Sequence, residues 1–552
     1  MKKIVSLLTF CFFIQFVNGQ SKNYWIVFKD KVGTEYSIHH PEQFLSAKAI
    51  ERRAKQNIKI TNQDLPLSKV YIDAVSAACV QVVSKSKWFN AVYVKSSNPI
   101  SLELIQSMTF VKSVKEIVVI NKHELDSKFK AEEASFKSNS DSQPFKSGSG
   151  FNYGLSYIQA NQIGANCMHT QGYVGQGMVI AVLDAGFYKA DSLPAFDSLR
   201  INNQILGCRD FVTGDTLVYE DYPHGMNVLS CMGGNIHGSL VGTAPKAKYW
   251  LLRTEDAWSE TLQEEINWAV GAEFADSVGA DVINSSLGYS NFDNPADSHT
   301  YADMDGNTTI ISNAADFAVS KGIFVTTSAG NAGGPPWYKI TAPADADSVL
   351  TVGAVDSVGV LAGFSSRGPT FDGRIKPNVV ARGYQAAFAS ASGGITQGNG
   401  TSFSSPITAG AVACLWQAHP TKTNMEILSA IEQSASQSSN PDSLVGYGIP
   451  NFCTASAILT GIEENNNSIN VFTLYPNPFI NLITITCNNS QKQLVRVSLI
   501  DISGREVFVE NKLLESNTNT FTIKPETQLA KGLYILKIVS NSQSSSIKVI
   551  KD

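Results

Sequence analysis

The sequence predicts an α/β fold built on a parallel sheet for the central part of this 552-residue chain, residues 151–460. Short apolar runs alternate there with helical stretches, which is typical of parallel βαβ units whose strands are covered on both faces. Asp184 follows the first run directly, at the strand end where open α/β sheets place their sites. The predicted strands lie at 179–183, 282–283, 323–326 and 349–352, and the predicted helices include 264–278 and 313–321.

Composition sets broad limits on what the chain does. Hydrophobic residues make up 43% of the sequence and aromatic residues 10%, which is enough for a large packed core. A chain of this length is expected to form about two to four domains. The net charge of −5 gives no electrostatic reason to expect nucleic acid as a partner.

The first 19 residues have the pattern of a signal peptide. Lys2 and Lys3 give a positive start, an apolar stretch follows at 4–17, and a small residue, Gly19, ends the segment. A membrane anchor is the alternative, but the stretch is shorter than the ~18–20 residues that span a bilayer. We therefore expect an exported mature form without a transmembrane segment.

The next region, residues 20–127, has the pattern of a small α+β module. Apolar runs at 24–28, 89–94 and 114–120 predict strands, and 49–54 lies in a helical stretch. Residues 128–150 are rich in Ser, Lys, Asp and Gly, a composition that predicts a flexible segment open to cleavage.

A serine stands in a small-residue turn before a long apolar run. Gly398 and Gly400 permit backbone angles that a side chain would forbid, and Ser402 follows them. Pro406 is predicted in the first turn of a buried helix that continues through 407–416. Backbone N–H groups at a helix start favour developing negative charge, so the position suits a nucleophile. A serine that merely caps a core helix fits the same turn.

Three more motifs make the pattern specific. They are Asp184 within VIAVLDAG, the pair His224-Gly225, and Asn331 within SAGNAG. With GTSFSSP around Ser402, they resemble the motifs of the subtilisin-like serine peptidases, the subtilase family, in the order Asp, His, Ser that is known for subtilisin. The resemblance implies a subtilisin-like three-layer peptidase domain at 151–460 that hydrolyses proteins or peptides.

The same resemblance implies a role for each motif residue. Ser402 would attack the peptide carbonyl, His224 would transfer the proton and Asp184 would orient the imidazole. Asn331 and the Ser402 backbone N–H would hold the oxyanion. No cofactor is required for this chemistry. The alternative is a subtilase-fold surface protein that binds or adheres without activity.

The histidine motif departs from the family pattern. The family usually continues His-Gly-Thr-His, whereas here Met226 and Asn227 follow Gly225. His237, which precedes Gly238, is the rival. Because His237 lies just before VGTAP at 241–245, which resembles the loop after the histidine helix, His224 is favoured.

Further expectations about the substrate follow from the resemblance. Ser286, Leu287 and Gly288 after the predicted strand at 282–283 resemble the family's substrate-binding strand, and Ala329 and Gly330 are assigned to the same function. An extended backbone there would pair with the substrate main chain.

No metal ligands are assigned. Residues 303–307 (DMDGN) alternate oxygen ligands as calcium loops do, but Ala314 stands where an EF-hand requires glutamate, so a polar turn is preferred. Because many subtilases bind calcium, calcium is kept open without an assigned position.

The position of residues 20–127 is that of the subtilase inhibitory propeptide. In the family, this domain assists folding and blocks the cleft with its C-terminal tail. The chain's own propeptide is therefore an expected intramolecular inhibitor, with cleavage expected within 128–150. An N-terminal domain that stays attached is the alternative.

The cysteines do not predict a metal site, because they lack metal-ligand spacing. A disulfide between Cys208 and Cys231 would close the loop that carries His224, and buried free thiols are the alternative. Outside the signal peptide the cysteines are Cys79, Cys167, Cys208, Cys231, Cys414, Cys453 and Cys487.

A polar linker is predicted at 461–470, and residues 471–552 predict a β-sandwich. Its motifs YPNPF, DISGR and KGLY resemble the C-terminal sorting domain of the type IX secretion system of Bacteroidetes. The resemblance implies export to the periplasm by the signal peptide, then type IX secretion into the medium or onto the cell surface. A sandwich that binds carbohydrate or protein is the alternative. Strands are predicted at 482–486, 494–500, 506–510, 520–523, 533–539 and 547–550.

Overall fold

The computed structural model describes most of the chain outside its N-terminus and its linkers. The predicted signal peptide and the linker at 461–470 lie outside the described residues, as do residues 130–149 of the predicted cleavage segment 128–150. The chain forms two compact units, residues up to Thr460 and residues from Gly461 on. The described ranges are 22–78, 80–119, 128–129, 150–460, 473–489, 492–501, 504–525, 529–539 and 544–552.

The N-terminal module, residues 22–119, is an antiparallel four-stranded sheet of order β2-β3-β1-β4 with helices packed on it. The strand predicted at 114–120 lies three residues earlier, at Val111–Ile117, where Val111 pairs with Phe28 and Ile117 pairs with Asn23. The helix around 49–54 and the strands near 24–28 and 89–94 are confirmed. The elements are β1 (Lys22–Phe28), α1 (Ala47–Lys55), α2 (Lys69–Ala77), β2 (Gln81–Ser86), β3 (Ala91–Ser96), α3 (Pro99–Ser107) and β4 (Val111–Ile117).

The central domain, residues 150–460, contains the predicted parallel sheet. Its seven strands have the order β13-β12-β11-β10-β5-β9-β6, and every neighbouring pair is parallel. The elements are α4 (Tyr157–Gln162), α5 (Ala165–Thr170), β5 (Val179–Asp184), α6 (Asp197–Ile201), β6 (Ile205–Asp210), α7 (His224–Gly233), β7 (Asn235–Ile236), β8 (Leu240–Val241), β9 (Lys248–Arg253), α8 (Leu262–Val278), β10 (Val282–Ser285), α9 (Ile310–Ser320), β11 (Phe324–Ser328), β12 (Leu350–Val355), β13 (Val379–Arg382), β14 (Ala386–Ala389), β15 (Ile395–Gly398), α10 (Thr401–Ala418), α11 (Asn424–Gln433) and α12 (Phe452–Leu459).

Both faces of this sheet are covered by helices, which confirms the three-layer prediction. Along β5, Ile180 and Val182 face a core that includes α7 and α10, whereas Val179, Ala181 and Leu183 face a core that includes α8 and α9. Successive side chains of a strand point to opposite faces, so a strand buried on both faces reads as a continuous apolar run. That is why the sequence pattern located β5 correctly.

The prediction for Pro406 is wrong. Helix α10 begins at Thr401, so Pro406 lies inside the helix rather than in its first turn. Proline has no N–H to donate to the carbonyl four residues earlier, which here is that of Ser402. The Ser286 hydroxyl donates to the Ser402 carbonyl oxygen instead, at 2.9 Å. The helix therefore tolerates the proline because β10 is followed by a serine that supplies the missing hydrogen bond.

The suggested disulfide between Cys208 and Cys231 is also wrong. The structure joins Cys167 in α5 to Cys453 in α12. Cys208, Cys231 and Cys414 are free thiols. The Cys231 thiol lies against its own helix, 3.6 Å from the Asn227 carbonyl oxygen, whereas that of Cys208 lies 3.1 Å from the Tyr219 hydroxyl.

The C-terminal domain, residues 473–552, consists of two antiparallel sheets with an apolar core, which confirms the β-sandwich prediction. Its first strand was not predicted from the sequence. Within the described part of the whole chain, no helix is both long and apolar enough to cross a membrane. The strands are β16 (Thr473–Tyr475), β17 (Ile483–Asn489), β18 (Gln493–Asp501), β19 (Glu506–Leu514), β20 (Asn517–Ile523), β21 (Gly532–Val539) and β22 (Ser544–Lys551).

Candidate active site

Asp184 and His224 form a buried hydrogen-bonded pair at the carboxyl end of β5. Asp184 is the last residue of that strand, and its Oδ1 lies 2.7 Å from His224 Nδ1. The same oxygen accepts a hydrogen bond from the Ala185 backbone N–H at 2.8 Å. Both side chains are essentially inaccessible to solvent. The carboxylate therefore fixes the orientation of the imidazole and turns Nε2 away from Asp184.

Close packing around Gly225 explains why a glycine follows His224. His224 is the first residue of α7, and this end of the helix packs directly on the loop after β5. A Cβ on Gly225 would overlap the Gly186 carbonyl oxygen and lie 2.8 Å from the Cβ of Asp184. A larger residue would therefore push α7 away from Asp184 and break the contact between carboxylate and imidazole.

The departures at Met226 and Asn227 leave this arrangement intact. Met226 is buried in the core, and the Asn227 side-chain amide donates to the Ala389 carbonyl oxygen of β14 at 2.7 Å. His237, the rival histidine, is exposed in the turn between β7 and β8. The structure thus places His224, rather than His237, against Asp184.

Ser402 is the second residue of α10, and its turn packs beside His224. The ring of Phe403, the next residue, lies 6.4 Å from the His224 ring between centroids. Ser402 Oγ lies 3.4 Å from the Ser286 carbonyl oxygen. The unpaired N–H groups of a helix start carry partial positive charge, so the hydroxyl lies where an anion would be stabilised.

A chain of hydrogen bonds ties the serine turn to β10. The Ser405 hydroxyl donates to Asn284 Oδ1 at 2.8 Å, and the Asn284 amide donates to the Ser286 hydroxyl at 3.2 Å. Ser286 then bonds to the Ser402 carbonyl. This network fixes Ser402 relative to the sheet that carries Asp184.

The Asn331 side chain is oriented by Thr401. Its Oδ1 accepts hydrogen bonds from both the backbone N–H and the hydroxyl of Thr401, each at 2.9 Å. The amide NH₂ group therefore faces the opposite direction. Thr401 also accepts from the Gly330 N–H at 3.2 Å. This role of Thr401 was not predicted from the sequence, where Thr401 is only the second residue of the motif GTSFSSP.

Comparison with known proteins shows the family to which this chain belongs. The profile described as "Subtilase family" matches residues 175–448. Subtilisin E of Bacillus subtilis (strain 168) is 32% identical over 292 residues, which cover 52% of this chain and 67% of that protein. Subtilisin of Bacillus pumilus is 32% identical over 287 residues, covering 51% and 90%. The chain belongs to the subtilase family. It is a serine-type endopeptidase.

Two further profiles match the flanking regions of this subtilase. The profile "Peptidase S8 propeptide domain, Bacteroidota" matches residues 23–134, and "Secretion system C-terminal sorting domain" matches residues 473–552. The N-terminal module is thus a subtilase propeptide domain, and the C-terminal sandwich is a sorting domain of the type IX kind.

The predicted substrate-binding segments of the subtilase lie close together. Ser286 and Leu287 are buried after β10, and Gly288 is exposed. A Cβ on Gly288 would overlap the Thr341 hydroxyl, and one on Gly330 would lie 2.7 Å from the same oxygen. Gly288 and Gly330, one from each predicted segment, therefore both lie against the side chain of Thr341.

Ala329, the remaining predicted residue, is buried and bonded to the sheet, because its N–H donates to the Val352 carbonyl oxygen at 3.0 Å. This hydrogen bond to β12 holds the backbone next to Gly330 in place.

The carboxylates of the suspected calcium loop serve its own turn. Asp303 Oδ2 accepts from the N–H and the hydroxyl of Thr300, both at 2.7 Å. Asp305 Oδ1 accepts from the N–H groups of Asn307 and Thr308, both at 2.8 Å. These contacts fit the polar-turn interpretation.

An acidic cluster that was not predicted from the sequence lies at and just before the start of α8. The carboxylate oxygens of Glu255, Glu260 and Glu264 lie within 4.8 Å of one another. Burial raises the pKa of all three carboxyls, that of Glu260 to about 7. The three residues are spread over a loop and a helix turn in the sequence, so no motif marks them.

Lys128, which follows the propeptide fold, occupies this cluster. Its ammonium contacts Glu255, Glu260 at 2.6 Å and Glu264 at 3.3 Å. Desolvation opposes the positive charge, but attraction to the three carboxylates outweighs it and holds the pKa of Lys128 well above its usual value. The Phe129 ring stacks on the His224 imidazole, with centroids 4.0 Å apart.

Proposed function

We propose that this subtilase hydrolyses peptide bonds in secreted or external proteins through Asp184, His224 and Ser402. The observation that carries the proposal is the 2.7 Å contact between Asp184 Oδ1 and His224 Nδ1 beside the Ser402 turn. Ser402 Oγ attacks the substrate carbonyl while His224 Nε2 takes its proton and later delivers it to the leaving amine. Asp184 keeps the proton on Nδ1 and stabilises the imidazolium.

In this mechanism the oxyanion is held by Asn331 and by the Ser402 backbone N–H. Thr401 supports this role because it fixes the Asn331 oxygen and so directs the NH₂ group. The residues 286–288 and 329–330 are proposed to bind the substrate main chain. Proton transfer and charge stabilisation both come from the chain itself, so the proposed reaction requires no metal or cofactor.

The test is active-site labelling of the matured enzyme with a fluorophosphonate probe. We expect the wild type to be labelled and Ser402→Ala not to be labelled. Ser404→Ala is the matched control, since Ser404 is a buried serine of the same helix whose hydroxyl donates to the Thr401 carbonyl oxygen at 3.0 Å. Failure to label folded wild type would favour the inactive binding protein instead.

The oxyanion assignment has a separate expected result. Asn331→Ala should lower kcat by about 10²–10³-fold with little change in KM, because the lost hydrogen bond forms mainly in the transition state. Steady-state kinetics on a peptide substrate measures both constants. Asn440→Ala, an exposed asparagine on a surface turn, serves as the control. A rise in KM of the size expected for the fall in kcat, with kcat itself unchanged, would contradict the assignment.

We also propose that the propeptide domain inhibits the subtilase before maturation. The Glu273 carboxylate of α8 accepts hydrogen bonds from the backbone N–H groups of Lys87 at 2.7 Å and Trp88 at 3.1 Å. Phe129 covers the imidazole that the mechanism requires. These contacts support inhibition by the chain's own N-terminal region, with cleavage within 128–150 to release the enzyme.

The proposed location follows from the sorting domain. A signal peptide at 1–19 would deliver the chain to the periplasm, and the type IX machinery would then secrete it or attach it to the cell surface. The match of residues 473–552 to a secretion sorting domain supports the second step.

A further inference from the structure

The acidic cluster is built by the peptidase domain itself. Glu264 forms a capping box at the start of α8, accepting the Thr261 N–H at 3.0 Å. Its other oxygen accepts from the Ser259 hydroxyl at 3.2 Å. The Tyr289 hydroxyl donates to Glu255. The Glu260 backbone N–H donates to Asp293 Oδ2 at 3.0 Å. The Glu255 and Glu264 carboxylates and the Glu260 backbone are therefore held by groups that remain when the propeptide leaves.

Holding these carboxylates together is costly without a cation. In the precursor Glu255 and Glu264 are buried and Glu260 is only 21% exposed, so solvent there compensates little of their mutual repulsion. In the precursor the Lys128 ammonium supplies the compensating charge and also donates to the Ser259 carbonyl oxygen at 2.6 Å. An ammonium with three donors fits several separate acceptors better than a planar guanidinium.

The lysine reaches the cluster along a path that leads to the proposed catalytic histidine. The Lys128 backbone N–H donates to the Ala257 carbonyl oxygen at 3.4 Å, in the loop between β9 and α8. The next residue, Phe129, then covers the His224 ring. A chain bound this way presents a basic side chain and an aromatic side chain to adjoining positions of one cleft.

We propose that Glu255, Glu260 and Glu264 form a substrate subsite that selects a lysine side chain, one residue N-terminal to the residue that packs on His224. This inference rests on the proposed function and names the substrate class. After maturation removes Lys128, a lysine of the substrate takes its place among the carboxylates. Peptides with Lys followed by an aromatic residue are accordingly favoured substrates.

The experiment uses matured enzyme and internally quenched peptides with the sequence of residues 124–135. The position of Lys128 is lysine, norleucine or glutamate, since norleucine keeps the apolar stem and lacks the charge. We expect kcat/KM for the lysine peptide to exceed that for norleucine by about 10- to 100-fold, with glutamate poorer still. A lysine-to-norleucine ratio near one would overturn the proposal.

Variants assign the preference to the cluster. In Glu260→Gln the lysine-to-norleucine ratio should fall at least about fivefold, because kcat/KM falls more for the lysine peptide than for the norleucine peptide. Glu426→Gln, an exposed glutamate on α11, should keep the wild-type ratio. A lysine preference that is unchanged in both Glu260→Gln and Glu255→Gln would show that other groups select the lysine.

Two controls separate this inference from the proposed function. Enzyme that labels with fluorophosphonate but does not discriminate between the peptides contradicts only the subsite, whereas enzyme that neither labels nor cleaves contradicts the peptidase mechanism.

If the glutamate variants do not fold, the test is made on the full-length precursor instead. Lys128→Met should then be labelled faster than wild type, and Lys112→Met on exposed β4 should not. Equal labelling of all three precursors would overturn the proposal.

Discussion

Asp184→Asn is expected to lower kcat by about 10⁴-fold on a peptide substrate. An asparagine NH₂ group opposite Nδ1 favours the tautomer with the proton on Nε2. Nε2 then cannot accept the proton of Ser402, although the geometry is preserved. The effect follows from the single 2.7 Å contact between Asp184 and His224. The measurements are steady-state kcat and the rate of fluorophosphonate labelling.

Asp356→Asn is the matched control for this substitution. Asp356 follows β12, and its carboxylate caps an exposed turn by accepting the Val358 and Val360 N–H groups, both at 2.9 Å. Its kcat should stay near wild type. Comparable thermal unfolding of the two variants would show that the loss in Asp184→Asn is catalytic, and a loss of kcat under tenfold would contradict the assigned role.

Asp276→Asn is expected to weaken the hold of the propeptide on the peptidase domain by on the order of 10²–10³-fold. Asp276 of α8 lies between Arg52 at 2.5 Å, Arg53 at 2.9 Å and Lys87 at 3.3 Å, all from the propeptide. Neutralising one member of a buried charge network leaves cations uncompensated, at a cost of about 3–5 kcal/mol. The precursor variant should therefore label with fluorophosphonate faster than the wild-type precursor.

Lys48→Met provides the contrast for Asp276. Lys48 also pairs across the interface, with Asp281 at 2.7 Å, but its side chain is 37% exposed. Exposed pairs contribute about 0–1 kcal/mol, so labelling should rise less than about fivefold. Equal labelling of the Asp276 and Lys48 variants would contradict the view that the buried network holds the propeptide.

The sign of the pH dependence follows from the same network. Burial alone would raise the pKa of Asp276, but Lys87, Arg52 and Arg53 outweigh it and hold the pKa far below the ordinary 3.8. A carboxyl with a lowered pKa in the complex stabilises it fully above that ordinary value and loses the contribution as the pH falls below it. Asp276 should therefore stay ionised between pH 5 and 8, and its contact should keep holding the propeptide in that range. In the same pH range we expect the Asp276→Asn precursor to be labelled faster than the wild-type precursor.

The sequence by itself determined the features that depend on neighbouring residues. The apolar run before Asp184 located β5, and Gly400 and Ser402 located the start of α10 to within a few residues. His224 was also favoured over His237 from local context, because the loop at 241–245 follows His237 closely. Periodicity and short motifs carry this information because strand burial and turn geometry are set by residues close together in the chain.

Tertiary structure alone decided the contacts between residues far apart in the chain. Ser286 completes a hydrogen bond that Pro406 removes from α10, and Thr401 orients Asn331. Lys128 meets three glutamates more than 120 positions later. Such pairings depend on how β10, α8 and α10 pack. A buried carboxylate or carbonyl oxygen can accept a hydrogen bond from any donor that the fold brings near it. Their partners therefore have no signature in the local sequence.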